Sequence, residues 1–110
     1  MPIANNTFVI VWGDHGFHLG DRDLWGKKTI FDQATRVPFG IRPAETWLAD
    51  NQDVANNGIG ARVLAPTDSV DILPTLLDLC NIDLPSLSDR AGASMVPLMR
   101  NPAGSIRAAA

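Results

Sequence analysis

The chain has 110 residues, the size of one domain or of part of a larger one. Nine Lys and Arg stand against twelve Asp and Glu, a net charge of -3 without the basic footprint of a nucleic-acid or anionic-membrane binder. An apolar share of 45% excludes a disordered chain, and a single cysteine, Cys80, excludes an internal disulfide scaffold.

The first predicted element covers residues 7–12, β-branched and aromatic on both faces and stopped by Gly13. Such a run predicts a strand buried on both sides, the habit of a parallel sheet covered by helices. Its apolar stretch, Phe8 to Trp12, is the longest in the chain and far short of the roughly 20 residues of a membrane helix. The residues before it lack the basic and then apolar pattern of a secretory leader, so the sequence assigns no compartment. Residues 13–26 hold four glycines among Asp, His and Arg, too glycine-rich for a helix and too charged for a core strand, and predict a functional loop.

A short helix is expected over 29–34 and a second strand over 37–41, weakened by Pro38 and Gly40. Residues 43–60 predict a surface loop with a helical turn near 45–49, and 62–65 a brief strand. The strongest helix is expected from Thr67 or Asp68 to about Asn81. Leu73, Leu76, Leu77 and Cys80 recur there at helical spacing and predict one buried face, with Asp71 and Asp78 solvent-facing or capping. Pro74 either kinks that helix or starts a second one after a short first turn, and Asn81 is its expected stop. Beyond it the chain predicts loop, with a turn at 96–99. One strong strand is too few for a doubly covered parallel sheet, whose neighbours need long crossovers. The expected fold is therefore α/β, with the chain as the back part of a larger domain.

Chemistry concentrates at Asp14-His15-Gly16. In open α/β sheets ligands sit beyond the carboxyl ends of strands, where Asp14 and His15 follow the first one. A carboxylate and an imidazole suit a divalent cation, and Gly13 and Gly16 are expected to let the backbone turn so that the two side chains converge. Two ligands hold an ion poorly, because a hard cation takes about six or more oxygens. Read alone, the triplet is more often an ordinary polar turn, and Lys27 and Lys28 are ordinary surface charges.

In order, Asp14-His15-Gly16, Leu19-Gly20-Asp21 and Leu24-Trp25-Gly26-Lys27 change that weighing. The series resembles the sulfatase family, formylglycine-dependent sulfuric ester hydrolases of the alkaline phosphatase-like superfamily, and is most similar to its iduronate-2-sulfatase and choline-sulfatase-like branches. The likeness continues through residues 28–39, 69–79 and 92–98, leaving 43–60 as a variable loop. It implies a C-terminal part of a catalytic domain with a partial three-layer sandwich and an incomplete central sheet. It further implies a calcium ion, with Asp14 and His15 as metal-site residues, His15 also at the catalytic centre, and Lys27 contacting the sulfate of an ester such as a sulfated sugar. Relatives of this family are often periplasmic, secreted or lysosomal.

The resemblance breaks at the nucleophile. The formylglycine arises from a Cys or Ser in a Cys/Ser-x-Pro/Ala-x-Arg motif, which this sequence lacks, and the early Asp-Asp pair of the metal site is also missing. Cys80 lies in the apolar helix and reads as a small core residue. The isolated chain is accordingly expected to be inactive and to need the N-terminal part of the domain. Two alternatives stand beside this expectation: a phosphodiesterase or phosphomutase-like relative of the same superfamily, and a non-catalytic fragment or binding module.

Overall fold

A computed structural model describes residues 2–85 and 91–107. The chain divides into two compact units between Trp47 and Leu48.

The first unit is built on a two-stranded antiparallel ladder. Strand β1 (Val9–Trp12) pairs with β4 (Phe39–Arg42) in the register Val9↔Arg42 to Trp12↔Phe39. Between them lie a small hairpin, β2 (His18–Leu19) with β3 (Trp25–Gly26), and the one-turn helix α1 (Asp32–Thr35). The 37–41 strand is thus present, shifted to 39–42 because Pro38 supplies no N–H and its carbonyl instead accepts from Gly13 at 3.0 Å. A strand buried on both faces in a parallel setting is not what these residues form. The partner of β1 runs antiparallel, and Val9, Val11 and Trp12 are exposed. An apolar run alone does not say what covers it. The lead-in to β1 is held by the Thr46 hydroxyl, which donates toward the Asn5 carbonyl and the Asn6 side-chain oxygen, both at 3.1 Å, while Phe8 meets Trp47 edge-on.

Helix α2 (Glu45–Asp50) carries the chain into the second unit, followed by α3 (Gln52–Asn57), α4 (Ile72–Leu79) and α5 (Val96–Arg100). The expected loop over 43–60 therefore contains two helices, separated only at Asn51, and no strand forms at 62–65. Asparagines and glycines that signalled a loop sit at the ends of these helices. Val54, Leu79, Met95, Val96 and Leu98 form the core of this unit. Gly58 is required where α3 meets α5: a Cβ there would stand 2.3 Å from the Met99 carbonyl oxygen.

The expected long helix begins as a 3-10 turn, Ser69–Asp71, and becomes α-helical at Ile72. Pro74 falls within the first α-turn, where an N–H has no intrahelical acceptor, so it costs no bond. Asn81 does end the helix: it adopts a left-handed φ of 52°, and the Ile82 N–H donates back to the Leu77 carbonyl at 2.8 Å.

The buried stripe of this helix is not the expected one. Leu73, Leu76 and Cys80 are exposed, whereas Asp71, Thr75 and Leu79 are buried. The cause is hydrogen bonding. Thr75 donates to the Asp71 carbonyl at 2.6 Å and accepts from the Met95 N–H at 2.9 Å, which turns the 71-75-79 stripe toward the segment entering α5. Asp71 is neither solvent-facing nor a simple cap. Its fully buried carboxylate accepts from the backbone N–H groups of Asp68 (2.8 Å) and Ala93 (2.9 Å) and from both terminal nitrogens of Arg107. Asp78 is exposed, as expected, and accepts from the Ser94 hydroxyl.

Candidate active site

The ladder of the first unit positions the site. After Trp12 the pairing continues one residue through the Gly13 N–H, and Gly13 lies so close to Val37 that a Cβ would stand 3.2 Å from the Val37 Cβ. Three residues on, the Gly16 N–H donates to the Ala34 carbonyl at 2.6 Å. The short loop is thus strapped at both ends to the segment from α1 to β4, and its intervening residues are Asp14, which is exposed, and His15, which is half-buried. The glycines serve a different purpose from the expected one. Neither Gly13 nor Gly16 has a positive φ; a Cβ at Gly16 would run into the Gln33 backbone, and one at Gly13 would press on the Val37 and Pro38 side chains.

Lys27 comes from the other side, immediately after β3. Its Nζ lies 3.0 Å from Asp14 Oδ2, closing a contact between residues 13 apart. The two side chains are 52% and 74% exposed, so solvent screens the pair and it acts as a positional feature rather than a source of stability. The Lys27 ammonium donates a hydrogen bond to the Asp14 carboxylate and faces it with positive charge, which holds Asp14 below the ordinary carboxylate value. Asp14 is consequently an anion at neutral pH. His15 Nδ1 lies 2.9 Å from the carbonyl oxygen of Gly16, and a carbonyl only accepts, so Nδ1 carries the proton. The lone pair is left on Nε2, the tautomer of a typical metal-ligating or proton-accepting imidazole.

Of the residues singled out in the sequence, the structure therefore brings Asp14 and Lys27 into contact and places His15 beside Asp14 in the same loop. Lys28 makes no ion pair among the described residues. Trp25 is mostly exposed on β3, its ring edge beside Gly20, and Cys80 caps α4 at the surface instead of filling a core. His18 is wholly buried, and Phe31 meets its ring edge-on with centroids 6.0 Å apart. His18 falls in the glycine-rich 13–26 stretch that predicts a loop, and its apolar neighbours Phe17 and Leu19 are the local sign of a short strand.

Among the described residues no three His, Cys, Asp or Glu side chains cluster to hold a metal. Asp14, as an anion, and His15 have donor chemistry suited to a cation, but they are two donors where a hard cation takes about six or more. No described helix is long and apolar enough to cross a membrane.

Comparison with known proteins gives the family. A family model described as Sulfatase matches residues 2–82. A sulfatase of Formosa agariphila is 30% identical over 94% of this chain, and a choline-sulfatase of Rhizobium meliloti is 34% identical over 88%. The matches cover 18% and 17% of those relatives, so the chain spans less than a fifth of their length. A solved structure of a protein in complex with its substrate, D-glucosamine-2-N,6-O-disulfate, superposes with a TM-score of 0.71 at 29% identity, covering 94% of this chain and 18% of that one. The architecture is thus part of the alkaline phosphatase-like α/β fold, and the two small sheets are a portion of it. With a family model matching most of its length and a structural neighbour sharing its fold, the chain belongs to the sulfatase family of sulfuric ester hydrolases.

Proposed function

We propose that this chain supplies one wall of a sulfatase active site acting on sulfate esters, with sulfated sugars as the substrate class. The observation that carries the proposal is the 3.0 Å approach of Lys27 Nζ to Asp14 Oδ2, which sets a cation for an anionic group beside a carboxylate for a metal. Substrate class is suggested by the disulfated glucosamine in the structural neighbour. Asp14 and His15 Nε2 would contribute to a calcium site completed by ligands outside the chain. Calcium, when bound, supplies Lewis-acid stabilisation of charge on the sulfuryl oxygens.

Lys27 contributes a point charge with three rotatable donors on a flexible stem, suited to sulfate oxygens whose charge grows in the transition state. In this chain Asp14 occupies that ammonium, so Lys27 must turn from the carboxylate to meet an anion. No Cys/Ser-x-Pro/Ala-x-Arg motif is present, and the nucleophile is accordingly placed on a segment outside residues 1–110, with this chain as a C-terminal part of the domain.

Hydrolysis of a chromogenic aryl sulfate by the purified chain tests this division of labour. The expected result is no turnover above background with or without calcium, together with weak calcium affinity. A calcium-dependent rate that disappears in Lys27→Ala would overturn the placing of the nucleophile elsewhere.

A further inference from the structure

His18 is the most buried polar side chain of the first unit, at 0% exposure, and the function proposed above gives it no task. Two of its bonds bracket Lys27. Through its backbone it pairs with Gly26, the residue before Lys27, in the β2–β3 register. Through its ring, Nε2 lies 2.7 Å from the Thr29 hydroxyl, two residues after Lys27. Between these anchors the Thr29 N–H donates to the Lys27 carbonyl at 2.9 Å, closing a three-residue turn with Lys28 at its tip.

The ring's other nitrogen, Nδ1, is buried without a hydrogen-bond partner. An orphaned buried N–H is rarer and costlier than an under-used acceptor, so the proton belongs on Nε2, which donates to Thr29. Phe31 seals the ring edge-on, and the Arg22 guanidinium lies over Phe31 at 4.8 Å. Burying an imidazole with half its polar capacity unused is unfavourable, and an apolar residue would pack the same space without that penalty. The geometry the histidine provides is what the apolar residue would not.

We infer that His18 is the positioning residue for Lys27: by gripping Gly26 through its backbone and Thr29 through its ring, it fixes the chain on both sides of the lysine and so aims the ammonium at Asp14. His18 makes no hydrogen bond to the side chain of Asp14 or Lys27 and acts only through the turn. That the aim serves sulfate recognition rests on the function proposed above; the aiming itself does not.

Limited acetylation of the purified full chain, read by mass spectrometry as the ratio of Lys27 to Lys28 modification, tests the inference. Lys28 is the internal reference because any general loosening affects both amines. Lys27 is expected to react about threefold more slowly than Lys28, the protection an exposed ion pair of ordinary strength gives. His18→Phe keeps a ring but loses the donor, and Thr29→Val keeps the shape but loses the acceptor; each is expected to bring the ratio to one. His18→Gln, whose amide N–H can reach the Thr29 hydroxyl, is expected to restore the protection.

An unchanged ratio in a folded Thr29→Val variant overturns the inference, and that variant decides alone if His18→Phe fails to fold. A parallel titration with inorganic sulfate separates the two proposals. If the ratio moves as expected while sulfate perturbs no variant, the aiming stands and the sulfate assignment falls.

Discussion

Gly16→Ala is expected to unseat the loop that carries Asp14 and His15, at a cost of about 3 kcal/mol or more, the upper range for forcing an atom into packed structure. An added Cβ would stand 1.9 Å from the Gln33 carbonyl oxygen and 2.9 Å from its carbon. Both are backbone atoms within α1, so no side chain can swing aside. Relief requires the loop to lift from α1, which breaks the 2.6 Å bond from the Gly16 N–H to the Ala34 carbonyl and carries Asp14 away from Lys27. Gly40→Ala is the matched control: nothing lies within 4 Å of a Cβ there, and its φ is not positive. Its change should stay within about 0.5 kcal/mol. Urea midpoints of the two variants are the measurement, and a Gly16→Ala midpoint equal to that of Gly40→Ala would contradict the close approach.

Asp71→Ala is expected to cost the second unit about 3 kcal/mol, because it strands partners that the carboxylate alone satisfies. Two backbone N–H groups, from Asp68 and Ala93, lose their acceptor together with the Arg107 guanidinium. Arg107 is partly exposed and recovers water, so Arg107→Ala should cost much less than the loss of Asp71. The same site predicts a pH dependence. Burial pushes the Asp71 carboxyl upward, but the Arg107 hydrogen bond, the Ala93 and Asp68 amides and the Arg107 charge outweigh it, and the net displacement is downward. A carboxyl lowered by folding stabilises the fold above its unfolded value, about 3.9, and loses that contribution as pH falls through the lower folded value. Acid unfolding should therefore steepen below about pH 4 in the wild type and flatten in Asp71→Asn. A wild-type acid profile matching that of Asp71→Asn would remove Asp71 from this role.

The family and the α/β class were legible in the sequence; the local elements that bring Asp14 and Lys27 together were less so. Asp14, His15 and Lys27, read alone an ordinary polar turn and a surface charge, stood out because ordered blocks such as Leu24-Trp25-Gly26-Lys27 gave them a family context. Their contact depends on the β2–β3 hairpin, whose strands are two residues each and too short to leave a periodic signal. The hairpin's turn was hidden as well, because Arg22 and Asp23 take up left-handed conformations usually advertised by glycine or asparagine. In α4 the leucine periodicity was real, but hydrogen bonds through Thr75 and Asp71 chose a different face to bury. Long-range satisfaction of polar groups, such as Asp71 with Arg107 at 36 residues' separation, leaves no local pattern in a sequence. The stop at Asn81 was readable because it is a local backbone property.

Titration of the chain with inorganic sulfate, followed at backbone amides near Lys27, tests most directly whether the ammonium at 27 and the carboxylate at 14 address one anion pocket. Because Asp14 competes for the same ammonium, Asp14→Asn should strengthen sulfate binding several-fold, Lys27→Ala should abolish the response, and added salt should weaken all of it. A sulfate response that survives unchanged in Lys27→Ala, or that weakens in Asp14→Asn, would contradict the account.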